Sequence, residues 1–231
     1  MKEPNQPPAS PAASEAPPVA RPPASERVLA WIARHRKAVS WVVGVAVVAG
    51  ALLGWNVVST RRSEAAARES LQQARLALDA RNFALAGSEL SRIRENYAGT
   101  KAAEEATLLL ARARLLQGQP EQAVALLQDF APGASASYRP QAYGMLGAAF
   151  ENMGRFADAA GAYGEAAAAA TLPFFKAQLL ADAGRTWAIA GDTSRAIGAY
   201  RRIVAELGAT AQVLEATVRL GELTRGDTVP R

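Results

Sequence analysis

Three arginines share one register. Arg75, Arg112 and Arg185 fall on a step of 36 to 37 residues whose remaining member is Ala148. A guanidinium presents its donors as a fixed planar fork, which matches the two oxygens of a carboxylate in charge-assisted hydrogen bonds. A row of such groups is chemistry for holding acidic peptide segments or a C-terminal carboxylate. It is not chemistry for breaking bonds. Leu71, Leu108 and Leu115 stand three or four positions from the arginines and are expected to add apolar contact beside them.

Other reactive chemistry is scarce. The chain has no cysteine, which excludes a disulfide, a thiol nucleophile, a thiolate metal site and lipid attachment through cysteine. The one histidine, His35, stands in a basic run with Arg34, Arg36 and Lys37, where a solvated or headgroup-facing role is expected. Glu104, Glu105 and Asp182 are acids of the kind that solvate helix faces or favour helix N-termini. No phosphate-binding loop and no catalytic serine motif is present. The expectation is a chain with no catalytic residue, no cofactor, no metal site and no enzyme activity. An envelope enzyme with an unrecognised site is the weakest alternative, because function must be argued from a site.

A row with this spacing needs elements that repeat with it. Ala74, Ala111, Gly147, Gly184 and Gly221 recur at 37, 36, 37 and 37 residues, and Ala86, Ala123, Ala159 and Ala196 keep the same steps. Gly118, Gly154 and Gly191 form a third ladder. A uniform alanine-rich bundle would raise helix propensity without producing these registers. Periods of this length mark stacked helical hairpins. Tyr143, Leu146, Gly147, Phe150, Gly154, Phe156, Ala159 and Tyr163 have the spacing of a tetratricopeptide unit, with Gly147 and Ala159 small where paired helices approach. The predicted fold is all-α: a tetratricopeptide-like solenoid of about four repeats over residues 67–225. Helices are expected at 67–80, 84–96, 102–117, 121–130, 140–153, 157–170, 174–190 and 194–207. A last helix at 211–224 would cap the stack, and 226–231 would be a frayed tail. Pro120 suits a helix start, Asp192 suits an N-cap and Gly154 suits a left-handed helix end. In such arrays the first helix of each pair lines the binding surface.

The other end of the chain carries a different signal. Residues 38–58 are 21 positions whose only polar members are Ser40 and Asn56. At 1.5 Å per residue such a helix spans roughly the 30 Å hydrocarbon core of a bilayer. Trp31, Trp41 and Trp55 sit near the expected interfaces, and basic residues flank both ends. The run exceeds a signal-peptide core and lacks a small-residue cleavage site after it, so an uncleaved transmembrane anchor is expected. Residues 27–37 read as a basic juxtamembrane segment, and 59–66 as a linker or a continuation of the helix. Ala46, Gly50 and Gly54 are spaced four apart, the small-residue pattern that lets two membrane helices approach and form a homodimer. Residues 1–26 hold eight of the thirteen prolines and almost no large apolar side chain, so a disordered head is expected. Ser25 could cap a short helix after it. Residues 1–58 hold six basic against three acidic side chains, and residues 59–231 hold twenty against eighteen. The second excess is dispersed among acids, which argues against nucleic-acid binding.

A short head, one membrane helix and a helical-repeat domain together resemble the ancillary translocon-subunit family of bacterial inner-membrane proteins. The resemblance is best over residues 34–127. It rests on the anchor, on Ala74, Leu78, Phe83 and Ala86, and on Asn96-Tyr97-Ala98-Gly99-Thr100 leading into Ala106, Leu109 and Ala111. It implies a single-pass protein with a cytoplasmic N-terminus and a periplasmic repeat domain. The implied partners are proteins such as the secretion channel or periplasmic chaperones, with the inner-membrane lipid around the anchor. Residues 97–111 also resemble repeats of outer-membrane assembly lipoproteins, which need a cysteine absent from this chain. The expected function is a membrane-anchored periplasmic interaction scaffold for translocation, chaperoning or envelope assembly. A cytosol-facing, membrane-tethered adaptor is the alternative.

Overall fold

The computed structural model describes Ser25 and residues 31–208 and 210–224. The head, apart from Ser25, and the tail at 226–231 lie outside the described residues. The chain divides into two compact units, Met1–Asn56 and Val57–Arg231.

In the first unit, a helical turn at residues 31–34 precedes the start of α1, which runs Arg36–Asp79 and so continues past Asn56. His35 places Nδ1 3.1 Å from the Trp31 carbonyl oxygen, and its ring stacks on the Trp31 indole. Trp41, Val45, Val48, Leu52 and Trp55 are all exposed. Among the described residues, no helix is long and apolar enough to cross a membrane. Seven side chains of the run at 38–58 fall outside that description: Ala38, Val39, Val42, Val43, Leu53, Asn56 and Val57.

The second unit is built from helices joined by short turns. After α1 come α2 (Phe83–Asn96), α3 (Lys101–Leu116), α4 (Pro120–Phe130), α5 (Arg139–Asn152), α6 (Phe156–Ala169), α7 (Pro173–Ile189), α8 (Thr193–Glu206) and α9 (Gln212–Thr224). From α2 to α8, each start lies one residue before the position expected from sequence. Residues 59–66 are helical and continue α1 without a break. One element was not anticipated: a 3₁₀ turn at Ala131–Gly133. Its connection is held by Glu104, whose carboxylate accepts from the Ser135 backbone N–H and hydroxyl, each at 2.7 Å. This acid therefore fastens a loop and does not merely solvate a helix face.

Local signals set the helix ends. Asn82, Thr100 and Asp192 cap α2, α3 and α8 through side-chain oxygens that accept from the N–H groups of Leu85, Ala103 and Arg195. Pro120 opens α4 at a position where a missing N–H leaves no bond unmade. Gly118, Gly154 and Gly191 have φ of 70°, 71° and 84°. The equivalent residue of the first repeat is Arg81, at φ 57°. A non-glycine residue there costs roughly 1–2 kcal/mol. The first turn thus keeps the left-handed geometry without the residue that signals it.

The core is a stack of small-on-large contacts. Ala74 and Leu90 are both fully buried in one cluster, and Ala111 and Leu127 in a second. In the next two repeats the pair becomes Gly147 with Tyr163 and Gly184 with Tyr200. A Cβ placed on Gly147 would stand 2.8 Å from two Tyr163 ring carbons, and one on Gly184 would stand 2.8 Å from Tyr200. Glycine is required where the opposing side chain is a ring, and alanine suffices where it is leucine. Gly221, next in the ladder, has nothing within 4 Å of a built Cβ. The three glycines should therefore respond differently to one substitution. Gly147→Ala and Gly184→Ala should destabilise by roughly 1–3 kcal/mol through ring displacement, offset by up to about 1 kcal/mol of helix propensity. Gly221→Ala should be neutral or stabilising. Melting of the full chain separates them, and equal shifts at all three sites would refute the contact argument.

Candidate functional site: the face of the first helices

The arginine row lies on α1, α3, α5 and α7, the first helix of each pair. Arg75, Leu78 and Asp79 of α1 and Glu105, Leu109, Arg112 and Leu116 of α3 line a cavity of about 390 Å³. The sequence pattern placed three guanidinium groups here, and the structure distinguishes among them. Arg75 is paired with Glu105 across the two helices. Arg112 is exposed and forms no hydrogen bond or ion pair with the described residues. Of the row, it is the one guanidinium without a partner among the described residues.

Arg185 belongs to a network. Its two terminal nitrogens donate to the two Glu151 oxygens at 2.6 and 3.0 Å, and the Tyr163 hydroxyl donates to Glu151 at 3.0 Å. Asp182 Oδ1 stands 3.6 Å from the guanidinium. The group bridges α5, α6 and α7 and ties the third repeat to the fourth. Glu151 replaces a residue type that cannot accept this bond: its equivalents are Leu78, Leu115 and Ala188. A search for repeating residues passes over such an acid. From spacing alone Glu105 is an acid that solvates a helix face or favours a helix N-terminus, and its pairing with Arg75 depends on the approach of α1 to α3.

The expected apolar neighbours are reassigned as well. Leu71 and Leu108 are 3% and 4% exposed and belong to the core, so they cannot touch a ligand. They lie three positions before the small contact residue, which turns them toward the second helix of the pair. Leu115 is half-buried and packs on the larger core cluster. The apolar lining comes from Leu78, Leu109 and Leu116. At the far end, Arg185, Ala188, Ile189, Tyr200, Arg219 and Glu222 contribute to a second cavity of about 290 Å³. There Arg219 is paired with Glu222 at 2.9 Å. Among the described residues, no group of three or more His, Asp or Glu side chains could hold a metal ion.

The network shifts its acids in opposite directions. The hydrogen bond from Arg185 holds the Glu151 carboxyl below the usual range, against its own desolvation. Burial raises Asp182, and the hydrogen bond from Gln178 and the nearby Arg185 only partly oppose it. Tyr163 is raised chiefly by burial and then by its bond to Glu151.

Comparison with solved structures identifies the architecture. The nearly identical TPR-like repeats of a Podosopora anserina kinesin-light-chain-type protein match with a TM-score of 0.53 at 19% identity, over 69% of this chain and 86% of that one. MamA matches with a TM-score of 0.52 at 21% identity, over 69% and 81%. The fold is a tetratricopeptide-like repeat fold. No protein-family model matches the sequence, and no curated protein does either. The resemblance to ancillary translocon subunits therefore rests on the sequence motifs quoted above.

The sign of the Glu151 shift sets a pH dependence. A carboxyl whose folded value is depressed contributes stability above its unfolded value and loses it as pH falls through the folded one. Glu151→Gln should lower stability by roughly 1 kcal/mol at neutral pH, after discounting for solvent around Arg185. It should also flatten the acid limb of the melting curve below about pH 4.5. An acid limb identical to that of the parent chain would show that the network carries no pH-dependent stability.

Proposed function

We propose that the chain is a membrane-anchored protein-interaction scaffold whose first-helix face binds an acidic peptide segment or a C-terminal carboxylate. The observation that carries the reading is Arg112: an exposed, unpaired guanidinium within a cavity that also offers Leu78, Leu109 and Leu116. Burying leucine side chains of a ligand there would supply affinity, and the guanidinium would select for negative charge. No cofactor and no bond-breaking step belongs to this reading.

Arg112 is also the position that tests it best. Arg112→Glu should reduce recovery of partners in a crosslinking pull-down from native membranes by about tenfold or more. Helicity and melting should not change, because Arg112 supports nothing in the fold. Arg185→Glu is a poorer probe, since it also breaks the bond to Glu151. Full partner recovery by Arg112→Glu would remove this groove from consideration.

The anchor and its orientation belong to the same proposal. Residues 38–58 form the span in a bacterial inner membrane, with the head cytoplasmic and the repeats periplasmic. Two copies pair through Ala46, Gly50 and Gly54. Partners in protein translocation, chaperoning or envelope assembly fit that placement. Support comes from the apolar run, the flanking basic residues, the tryptophans and the translocon-subunit resemblance. The chain should resist alkaline extraction from membranes, and protease added outside spheroplasts should digest the repeat domain. Gly50→Leu with Gly54→Leu should weaken self-association in a membrane reporter. Release by alkali would exclude the anchor, and digestion of the head alone would favour the cytosol-facing adaptor.

A further inference from the structure

The cavity between α1 and α3 holds charges of both signs. Four charged residues line it: Arg75 and Asp79 on α1, Glu105 and Arg112 on α3. Arg75 and Glu105 are paired with each other. That leaves one carboxylate, Asp79, and one guanidinium, Arg112. Both are exposed, and neither forms a hydrogen bond or ion pair with any described residue, each other included. Unpaired charge alone would mean little, because Arg81, Arg94, Arg201, Glu95 and Asp129 have no partner among the described residues either. Asp79 and Arg112 differ in lining one cavity together with Leu78, Leu109 and Leu116. In the far cavity the charged lining residues are matched, Arg185 with Glu151 and Arg219 with Glu222.

Asp79 does nothing for its own helix. It is the last residue of α1, where the free carbonyl groups carry partial negative charge and a carboxylate is unfavourable. Arg81, two residues on, does not pair with it. The groove therefore presents a carboxylate on one wall and a guanidinium on the other, with leucine side chains on both.

We infer that the ligand of this groove carries a cation as well as an anion: an extended peptide segment with apolar side chains over the leucines, an acid at Arg112 and a lysine or arginine at Asp79. The inference rests on the reading of this groove as a peptide site and specifies what the peptide must contain. Charge complementarity selects it, since a purely acidic segment would set its charge beside the Asp79 carboxylate with nothing to offset the repulsion. The spacing of the two charges follows from the helices. As first helices of successive hairpins, α1 and α3 run the same way, with Arg75 level with Arg112 and Asp79 one turn beyond. Neighbouring helices pack about 8–10 Å apart and four residues of helix rise about 6 Å, so the Asp79 and Arg112 backbones stand on the order of 11 Å apart. An extended chain covers that distance in about three residues.

Pools of short fluorescein-labelled peptides test this against the full chain in detergent micelles, with binding read by fluorescence polarisation. Every pool has two fixed leucines and uncharged residues elsewhere. One pool adds glutamate and lysine three residues apart, in either order; a second adds glutamate alone, and a third adds no charge. The better order of the two-charge pool should bind about threefold or more tighter than the glutamate pool at low salt. Asp79→Asn should erase that difference, and Arg112→Gln should erase the preference for glutamate over the uncharged pool. Melting should stay that of the parent in both variants, because neither side chain supports the fold. Equal binding of the two-charge and glutamate pools would overturn the inference and leave the groove as a site for acidic peptides. A difference that persists in Asp79→Asn would also overturn it, by seating the cation elsewhere. Binding of no pool, or an unchanged glutamate preference in Arg112→Gln, would overturn the groove itself and the inference with it.

Discussion

The repeat domain depends on how closely the two helices of each hairpin approach. In the third and fourth repeats that distance is set by a glycine on the first helix and a tyrosine sixteen positions later, Gly147 with Tyr163 and Gly184 with Tyr200; at the same positions of the first two repeats Ala74 and Leu90, and Ala111 and Leu127, are buried together. The tyrosine rings lie where a glycine Cβ would otherwise be, so the glycine and the ring form one contact. Because interiors are close-packed, neither member can change size without moving the helix that bears it. The helix faces, and every group displayed on them, inherit their positions from this contact.

The Tyr163 hydroxyl links that packing to electrostatics. The ring that fills the Gly147 site also donates to Glu151, which holds Arg185 of the next repeat. A hairpin contact and an interrepeat ion pair therefore share one side chain. A partly buried guanidinium needs such a partner, because an unpaired charge removed from water is costly. Arg112 is exposed and can stand alone, hydrated. In the proposed groove, selectivity would fall to the one member of the arginine row that the fold does not use.

Much of the architecture was legible in the sequence, since hairpin repetition writes itself as periodicity. The ladders at Ala74 and Ala86 located the contacts, Pro120 and Asp192 located helix starts, and from α2 onward the helix bounds followed within about a residue, whereas the first repeat helix, expected at 67–80, runs unbroken from Arg36. Arg81 shows where such reading weakens: it takes a left-handed conformation that the other repeats mark with glycine. The candidate site was less legible. Spacing placed Arg75, Arg112 and Arg185 on one face, yet Glu105 and Glu151 repeat nowhere, so their pairing with arginine left no periodic trace.

The sequence by itself determined the all-helical repeat, its register and the row of arginines, because these depend on local propensity and on residues recurring at a fixed step. Tertiary structure decided which members of the row are free. It also turned Leu71 and Leu108 into the core, made Glu104 a loop fastener, and joined Arg185 to Glu151 of the preceding repeat. The physical reason is common to all four. A side chain's role depends on which charge or surface a neighbouring helix brings within a few ångströms, and that neighbour is fixed by the fold and not by adjacency in the chain.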